Sequence, residues 1–473
     1  MNKSEIMFGT DGWRAIISDE FTFANVRKVA QAIAAYLREK SKDKTEKPQL
    51  KNQKLIIIGY DARFLADKFA VEIAKVMKGN GISSLITERD TPTPIVAWSI
   101  KDKNALGAVM LTASHNPAEY CGIKFIPDYA GPATEEITKQ IEENLRREMR
   151  DERRETKATI EHFEPGERYF TYIEKFIDVQ AIQKAQPKVV YDPMYGSGRG
   201  YLDKLLEKFG ARVEEIHNYR DVLFGGQNPE PANNLLTALK AKVLELKYDL
   251  GVASDGDADR FGIVDERGNF LDANKVIPLV FNYLIEKGIK GAVVRSIATT
   301  SLVDEIAKEH KIKVHETKVG FKHIAQIMMN EPVIIGGEES GGLSILGHIP
   351  EKDGLIADLL VVEMVSKKKK PLSRLWRELA NKYGPYEYKR QKLGTTDEKK
   401  KKLMQKLNDN PPRQIGNLAV SAVKTIDGVK IILEDNSWLL VRPSGTEPIM
   451  RIYYEAKNES ALASIADYVK TLV

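Results

Sequence analysis

From the N-terminus to about residue 383, apolar and polar positions alternate in a pattern that predicts strands and helices in turn. Residues 25–40 carry apolar side chains at helical spacing, and residues 55–59 are wholly apolar, as in a strand that is buried on both faces. The alternation continues with a helix at 68–78, a strand at 82–87, a Thr-Pro-Thr-Pro turn at 91–94, a strand at 107–112 and a charged helix at 134–154. Such alternation predicts an α/β domain around a mostly parallel or mixed sheet.

The same alternation recurs twice more. A strand at 188–192 runs into a glycine-rich turn and a helix, and a strand at 249–253 leads into a cluster of aspartates. The last repeat has a strand, two helices and a second strand, at 291–295, from 301, at 321–329 and at 332–336. The glycine-rich turn at 196–200 lacks the Gly-Lys-Ser/Thr of a P-loop, so it is interpreted as a strand-to-helix turn.

The pattern changes at about residue 383. Strand-like stretches at 418–424, 429–433 and 438–441 follow one another without long helices, and a helix from Ser460 comes last. We therefore predict three α/β domains with mixed sheets, followed by a smaller C-terminal α+β domain. The predicted bounds of these domains are 1–165, 166–268, 269–382 and 383–473.

Composition narrows the class of protein. The 473 residues are 42% apolar and 29% charged, as in an ordinary globular protein, and the single cysteine, Cys121, excludes an intramolecular disulfide and a multi-cysteine zinc site. The chain shows neither a signal peptide nor a long uncharged apolar run, so we expect a cytoplasmic protein without a membrane partner. The net charge of +5 is spread along the chain, which suits an anionic ligand and argues against a nucleic-acid partner.

Ser114 is the first candidate for chemistry. It follows the strand at 107–112 and stands before His115, Asn116 and Pro117, residues that favour a turn. A serine there can be exposed and accept a phosphoryl group, although a lone turn serine more often caps a backbone amide. His115 suggests a Ser–His pair, but adjacent residues rarely aim at each other and no Gly-x-Ser-x-Gly elbow is present, so a hydrolase triad is discounted.

The second candidate is the aspartate cluster. Asp255, Asp257 and Asp259 stand at alternate positions of a tight turn, where they cannot all ionise close together without a cation. Oxygen ligands select a hard ion, with Mg²⁺ favoured where phosphate is present, while a solvated turn is the alternative. Together with Glu266 these residues match an EF-hand, but its sixth-position glycine is Arg260 here and the flanks resemble strands, so that site is excluded. Arg260 can hold a substrate oxygen or orient a carboxylate.

Two further loops have ligand-binding character, although each alone is more often an ordinary turn. In the glycine-rich loop 336–342, Glu338 and Ser340 can take hydrogen bonds from sugar hydroxyls. The loop 442–448 can cradle a phosphate through Arg442, Ser444, Gly445 and Thr446. Further positive charge can come from Arg63, Arg295, Lys318 and Lys322, but their spacing in the sequence does not show where in the site they would lie. Since ligands bind beyond the carboxyl ends of strands in open α/β sheets, we expect Ser114, the aspartates and Glu338 at one cleft.

These four motifs and the opening Phe-Gly-Thr-Asp-Gly-Trp-Arg at 8–14 stand in the order found in the α-D-phosphohexomutase family, which the chain resembles over essentially its whole length. The resemblance implies four domains around a central cleft and a phosphoserine at Ser114. It also implies one Mg²⁺ held by the three aspartates and the Ser114 phosphate. The implied catalytic residues are Ser114, His115, Arg14 and Lys124, with Lys124 as general acid or base. The implied substrate contacts are Arg260, Lys322, Glu338, Ser340, Arg442, Ser444, Gly445 and Thr446.

The resemblance implies transfer of phosphate between C1 and C6 of glucose phosphate, through a sugar 1,6-bisphosphate that also serves as activator. The sequence Glu-Glu-Ser at 338–340 and the segment 348–354 favour glucose over glucosamine. Cys121 and Gly342 depart from residues common in the family and leave the sugar open. The alternatives are a phosphomannomutase or dual enzyme, a pentose phosphate mutase, a sugar-bisphosphate synthase, or a non-catalytic sugar-phosphate-binding protein. We expect a monomer or a dimer.

Overall fold

The structure is a computed structural model and describes residues 6–9, 11–40, 54–147, 156–444 and 448–472. The chain divides into two compact units, one formed by residues 1–273 and 340–372 and the other by residues 274–339 and 373–473. The chain therefore passes from the first unit into the second, returns at residue 340 and leaves again at residue 373.

The N-terminal part of the first unit is built on a six-stranded sheet with strand order β1-β5-β4-β2-β3-β6. Strand β2 runs parallel to β3 and β4, whereas β5 runs antiparallel to β4 and β1, so the sheet is mixed as predicted. The elements are β1 (Trp13–Ile16), α1 (Phe23–Lys40), β2 (Leu55–Tyr60), α2 (Ala66–Gly79), β3 (Ser83–Thr87), α3 (Thr93–Lys103), β4 (Gly107–Leu111), β5 (Tyr120–Pro127), α4 (Glu135–Arg146) and β6 (Ile160–Phe163).

A second mixed sheet, of five strands in the order β11-β10-β9-β7-β8, completes the first unit. Its elements are α5 (Gly166–Ile173), α6 (Val179–Ala185), β7 (Lys188–Asp192), α7 (Leu202–Lys208), β8 (Arg212–Glu215), α8 (Thr237–Leu246), β9 (Leu250–Ser254), β10 (Phe261–Asp265) and β11 (Phe270–Leu271). Strands β9 and β10 form an antiparallel hairpin whose turn carries the aspartate cluster.

In the second unit, β12 pairs in parallel with β13 and β14. The segment between residues 273 and 383, part of which returns to the first unit, contains α9 (Ala273–Glu286), β12 (Ala292–Ser296), α10 (Leu302–Glu309), β13 (Val314–Thr317), α11 (Phe321–Asn330), β14 (Val333–Gly337), β15 (Leu343–Ile345), α12 (Gly354–Lys368) and α13 (Leu372–Tyr383). Helix α12 lies in the first unit and packs against α6, β9 and β10.

The C-terminal part of the second unit is an antiparallel sheet in the order β16-β21-β20-β19-β18-β17, as expected for a smaller α+β domain. It contains β16 (Glu387–Gly394), α14 (Asp397–Asp409), β17 (Gln414–Ile415), β18 (Leu418–Lys424), β19 (Val429–Leu433), β20 (Trp438–Pro443), β21 (Ile449–Ala456) and α15 (Glu459–Lys470). Within this unit, Trp438 and Tyr453 of the sheet pack against Ile297 and Ala298, which follow β12.

Most predicted elements are present within a residue or two of their predicted ends, with two differences. The Thr-Pro-Thr-Pro stretch begins helix α3 instead of forming only a turn, because a proline in the first helical turn removes an N–H that has no partner there anyway. The charged helix predicted at 134–154 begins at Glu135 and ends at Arg146, and residues 148–155 lie outside the described residues. Among the helices that the structure describes, none has both the length and the apolar character needed to span a bilayer.

Candidate functional site

Ser114 lies in the turn that follows β4 and has a left-handed backbone, with φ of 50°. Its N–H donates to Thr112 Oγ1 at 2.8 Å, and its Oγ donates to Asp255 Oδ2 at 2.7 Å. The Nδ1 atom of His115 is 3.4 Å from Ser114 Oγ. The serine is fully buried, contrary to the exposure that we expected for a turn, because the β9–β10 hairpin lies against it.

The aspartate cluster is defined here as Asp255, Asp257 and Asp259, all of which are buried. One ligand oxygen from each lies within 4.8 Å of the others, an arrangement that can hold a metal ion. The turn reaches the serine because Gly256 has no side chain: a Cβ there would lie 2.6 Å from the carbonyl oxygen of Ser114. The tertiary structure therefore brings together two motifs that stand 141 residues apart in sequence.

The electrostatics of this cluster fit a bound cation. Burial, reinforced by the charges of Asp257 and Asp259, raises the pKa of Asp255 well above its usual range. The buried Oδ1 atoms of Asp257 and Asp259 have no hydrogen-bond partner within the part of the chain that the structure describes. Buried carboxylate oxygens without partners are costly, and a hard cation is the ligand that satisfies them. The donor set therefore fits a divalent cation such as Mg²⁺.

Two buried lysines lie beside the aspartate cluster. Lys124 Nζ is 2.9 Å from Asp11 Oδ2, 3.0 Å from Asp257 Oδ2 and 3.1 Å from Asp259 Oδ2. Lys352 Nζ is 2.8 Å from Asp259 Oδ2 and 3.5 Å from Asp11 Oδ2. Burial alone would lower the pKa of Lys124, but the three carboxylates outweigh burial and raise that pKa well above its usual value. Lys124 is therefore a protonated cation in this arrangement.

Two arginines, Arg14 and Arg260, contact the serine turn and the aspartate cluster. We define the serine loop as residues 112–117. Arg14 Nη1 donates to Asn116 Oδ1 at 2.7 Å and so fixes the side chain of Asn116 in this loop. The buried Nε of Arg260 lies 3.9 Å from Asp259 Oδ1 but has no hydrogen-bond partner among the described residues, so it can donate to a ligand. The loop that carries Ser340 is adjacent, since the N–H of Phe261 donates to the carbonyl oxygen of Gly341 at 3.2 Å.

The remaining predicted substrate residues lie in the second unit and are linked to one another there. The N–H of Gly320, in the loop that leads into Lys322, donates to Glu338 Oε1 at 2.6 Å. Asp427 Oδ2 accepts the N–H of Val319 at 3.0 Å and Arg442 Nε at 2.7 Å. The N–H of Ser444 donates to the carbonyl oxygen of Ile449 at 3.0 Å, and Gly445 and Thr446 lie outside the described residues.

Sequence reasoning missed several partners of these residues. Asp11 and Lys352 both lie inside segments that we quoted for the resemblance, but nothing in their spacing indicated that they pair with the aspartate cluster and Lys124. Asp427 stands in a turn between two strands, where an aspartate is common for local reasons. Only contacts between distant segments show these roles, so no local pattern could have indicated them.

Comparison with known proteins gives the family. Models of the phosphoglucomutase/phosphomannomutase family match four segments: α/β/α domain I at residues 5–152, domain II at 167–268, domain III at 272–383 and the C-terminal domain at 392–472. The chain belongs to the phosphoglucomutase/phosphomannomutase family. Its members, the phosphohexomutases, are isomerases that act as phosphotransferases, and this chain is therefore a phosphohexomutase with three α/β domains and a C-terminal domain.

Individual phosphohexomutases resemble the chain over nearly its whole length. A phosphoglucomutase/phosphomannomutase of Thermococcus kodakarensis is 34% identical, covering 96% of this chain and 95% of the relative. A phosphoglucosamine/phosphogalactosamine mutase of Sulfurisphaera tokodaii is 30% identical, covering 99% of each. A crystal structure from Thermus thermophilus, provisionally named phosphomannomutase, superposes with a TM-score of 0.86 at 31% identity, covering 99% of each chain. Relatives with different sugars match about equally well, so the family is clear and the sugar is not.

Proposed function

We propose that this phosphohexomutase is a phosphoglucomutase that moves phosphate between C1 and C6 of glucose phosphate, with Ser114 as the phosphoryl carrier. The observation that carries the proposal is the 2.7 Å hydrogen bond from Ser114 Oγ to Asp255, beside two carboxylates with unsatisfied oxygens. A phosphoryl group on this oxygen would lie next to a cation site. Phosphoryl transfer depends mainly on alignment and charge neutralisation, which is what this arrangement offers.

In the proposed reaction, phosphorylated Ser114 donates its phosphoryl group to the free hydroxyl of glucose 1- or 6-phosphate. A bond forms between the sugar oxygen and phosphorus, the Ser114 Oγ–phosphorus bond breaks, and the hydroxyl proton ends on Ser114 Oγ. The product, a sugar 1,6-bisphosphate, reorients in the site by exchanging the positions of its two phosphates, and then returns its other phosphate to Ser114. Lys124 is the proposed general acid and base that relays the proton; a cation bound to Asp257 and Asp259 would offset the carboxylate charges, 3.0 and 3.1 Å from its ammonium, that hold its pKa high.

The aspartate cluster is proposed to hold one Mg²⁺ together with the Ser114 phosphate. When bound, the cation neutralises phosphoryl oxygens and so lowers the cost of the charge that is shared in the transition state. Lys124 and Lys352 add two positive charges beside it. Arg14 and His115, which flank the serine, are proposed to orient the phosphoryl oxygens.

Sugar and distal phosphate contacts are proposed for the residues that the family motifs supply. Arg260 and Ser340 are the candidates in the first unit, and their loops are joined by the hydrogen bond between Phe261 and Gly341. In the second unit, Glu338 is proposed to accept hydrogen bonds from the sugar hydroxyls. The proposed ligands of the phosphate that does not react are Lys322, Arg442, Ser444, Gly445 and Thr446.

A panel of sugar phosphates tests the sugar. Glucose 1-phosphate, mannose 1-phosphate, glucosamine 1-phosphate and ribose 1-phosphate are supplied separately with Mg²⁺ and a trace of the matching bisphosphate, and product formation is followed by a coupled assay. We expect the highest kcat/KM with glucose 1-phosphate. Preference for glucosamine 1-phosphate is the outcome that the Sulfurisphaera tokodaii relative favours, and preference for mannose or equal rates with mannose and glucose would indicate the phosphomannomutase or dual alternative.

The intact mass of the protein separates a mutase from a non-catalytic sugar-phosphate-binding protein. After incubation with glucose 1,6-bisphosphate, we expect one added phosphoryl group that Ser114→Ala removes. A sugar-bisphosphate synthase would instead require a separate phosphate donor for net accumulation of bisphosphate. Absence of both the added mass and all turnover would contradict the proposal.

A further inference from the structure

Arg63 was a candidate for extra positive charge in the sequence, and the structure gives it another place. Its side chain is fully buried. Nε donates to Asp61 Oδ2 at 3.0 Å, Nη1 to the carbonyl oxygens of Pro117 and Tyr120 at 2.6 and 2.8 Å, and Nη2 to those of Ser114 and Asn116 at 2.8 and 2.7 Å. All of its guanidinium donors are therefore used inside the protein, and none is left for a substrate.

The four carbonyl oxygens that Arg63 binds belong to the segment from Ser114 to Tyr120, which contains the end of the serine loop. Segments of this kind seldom have internal partners for so many carbonyls, because the backbone there makes no regular ladder. One planar guanidinium with donors in a fixed fork sets the relative positions of these carbonyls at once. The ring of Phe224 lies 5.0 Å from the guanidinium carbon and closes the other side.

A second set of contacts orients the same turn from its N-terminal end. Asp61 Oδ2, which pairs with Arg63, also accepts a hydrogen bond from Thr112 Oγ1 at 2.6 Å. Thr112 Oγ1 in turn accepts the N–H of Ser114 at 2.8 Å. Both backbone polar groups of Ser114 are thus fixed through the Asp61–Arg63 pair, one directly and one through Thr112.

The backbone conformation of Ser114 explains why such a clamp is useful. A non-glycine residue with φ of 50° is in a sparsely populated region, and that conformation persists only when the surroundings over-determine it. The αL turn aims Ser114 Oγ at Asp255. A loop that relaxed to a commoner conformation would turn the hydroxyl away from the aspartate cluster.

We propose that Arg63 is the positioning residue of the serine loop: with Asp61 and Thr112 it holds the backbone of Ser114 in the conformation that presents Oγ to the aspartate cluster. The inference rests on the proposed role of Ser114 for its kinetic consequence, but not for its structural one. Arg63 touches no substrate, so its loss lowers the rate of the transfer step and leaves sugar phosphate binding almost unchanged.

The test variant is Arg63→Lys, which keeps the charge but replaces a fork of five donors by a point charge with three. Assayed with glucose 1-phosphate, glucose 1,6-bisphosphate and Mg²⁺, it should lose kcat by about a hundredfold, as for a misplacement of about 1 Å, while KM changes by less than about threefold. Hydrogen exchange followed by mass spectrometry should be at least about tenfold faster in the peptide covering 112–122 and unchanged at 188–192.

Arg295→Lys is the matched control, since Arg295 is a buried arginine in the second unit that also pairs with carboxylates. It should leave exchange at 112–122 as in the wild type. An unchanged kcat in Arg63→Lys, unchanged exchange at 112–122, or faster exchange throughout the first unit would each overturn the inference, the last because it indicates general destabilisation.

If Arg63→Lys does not fold, Thr112→Val decides. This nearly isosteric change removes only the hydroxyl that links Asp61 to the N–H of Ser114, and it should show the same two effects at smaller size. Should the wild type turn over no glucose 1-phosphate and carry no phosphoryl group on Ser114, the proposed function fails, while the exchange measurements still test the clamp.

Discussion

Two clusters of charged side chains, one in each unit, contain buried lysine or arginine but differ in how their carboxylates are satisfied. In the second unit Arg295 donates to Asp304 Oδ1 at 2.8 Å, to Glu316 Oε2 at 2.8 Å and to the carbonyl oxygen of Ser296 at 3.1 Å. Beside it, Lys430 Nζ donates to the carbonyl oxygen of Ile297 at 2.7 Å and lies 3.8 Å above the ring of Trp438. Burial and the charge of Arg295 lower the pKa of Lys430 to about 7, and both side chains are bound by oxygens and a ring within their own unit.

The aspartate cluster of the first unit is not closed in this way. Its pairs with Lys124 and Lys352 use one oxygen each of Asp257 and Asp259, and the other buried oxygen of each has no hydrogen-bond partner among the described residues. A buried ion cluster that serves only the fold satisfies its groups, because an orphaned one is costly. Among the described residues, Arg295, Asp304, Glu316 and Lys430 have no buried side-chain polar atom without a hydrogen-bond partner, although Oε2 of the nearby Glu455 has none. What marks the aspartate cluster as a ligand site is therefore two such oxygens on carboxylates close enough together to share one ion.

The largest effect is expected at Ser114. Ser114→Ala should lower kcat by at least about ten-thousand-fold, because it removes the oxygen that carries the phosphoryl group. The free energy of unfolding should change little, since the change deletes one hydroxyl. Turnover of glucose 1-phosphate and intact mass check the result, and full activity in this variant would show that the first cluster is not the reacting centre.

The role of the carboxylate oxygens without hydrogen-bond partners is tested at Asp257. Asp257→Asn should lower kcat by about a hundredfold or more, because it removes a charge from the proposed cation site. Added Mg²⁺ should raise the Tm of the wild type by mass action, and this rise should disappear in the variant. Glu266→Gln, a change at a carboxylate in the turn just after β10, is the control and should keep the full response to Mg²⁺. An equal rise of Tm in the wild type and in Asp257→Asn would mean that the cluster binds no cation.

A smaller effect is expected at Arg442. A guanidinium binds phosphate with two parallel hydrogen bonds that an ammonium cannot reproduce, so Arg442→Lys should raise KM by about tenfold while kcat falls less than about threefold. The split is expected because a phosphate that does not react is held equally in the ground and transition states. Arg390→Lys, on the outer strand β16 of the same sheet, should leave both constants unchanged. A fall in kcat alone would remove Arg442 from substrate binding.

The smallest effect on turnover is expected in the closed cluster. Arg295→Met should lower the free energy of unfolding by about 1–2 kcal/mol, because the partly exposed Asp304 and Glu316 lose a buried partner. The kcat of the folded variant should stay within about twofold of the wild type. Urea unfolding and turnover at a temperature where both proteins are folded measure the two quantities. A loss of kcat without a loss of stability would erase the distinction between the clusters.

Sequence reasoning identified candidate site residues where several neighbouring residues together form a motif. Ser114, the aspartate cluster and Arg442 could be proposed as site residues because each stands in a short motif whose residue types already suggest its chemistry. Lys352, Asp11 and Asp427 were not found, since their partners lie far away in the chain and each is locally an ordinary surface-type residue. Arg63 was noticed for its charge but could not be given a place, because four of its acceptors are backbone carbonyls, which no side-chain pattern can indicate.

Secondary structure followed the same rule. The apolar stretch at the start of β2 and the helical periodicity of α1 are local properties, and both elements are present as predicted. Helix α3 was missed because Pro92 and Pro94, before and at its start, suggest a turn, whereas the burial of residues 93–100 favours a helix. The passage of the chain back into the first unit at residue 340 is likewise set by packing, here of α12 against β9 and β10.

By itself, the sequence determined the order of strands and helices, the family, and the residue types that can carry a phosphoryl group, hold a hard cation and bind a phosphate. Hydrophobic periodicity and short motifs are local, so they survive without coordinates. Only the tertiary structure decided that Ser114 Oγ donates to Asp255, that two lysines pair with the aspartates, and that the donors of Arg63 are used by the backbone around the serine loop. Those facts depend on distances between segments that are remote in the chain, and the energy of a buried charge depends on those distances rather than on sequence position.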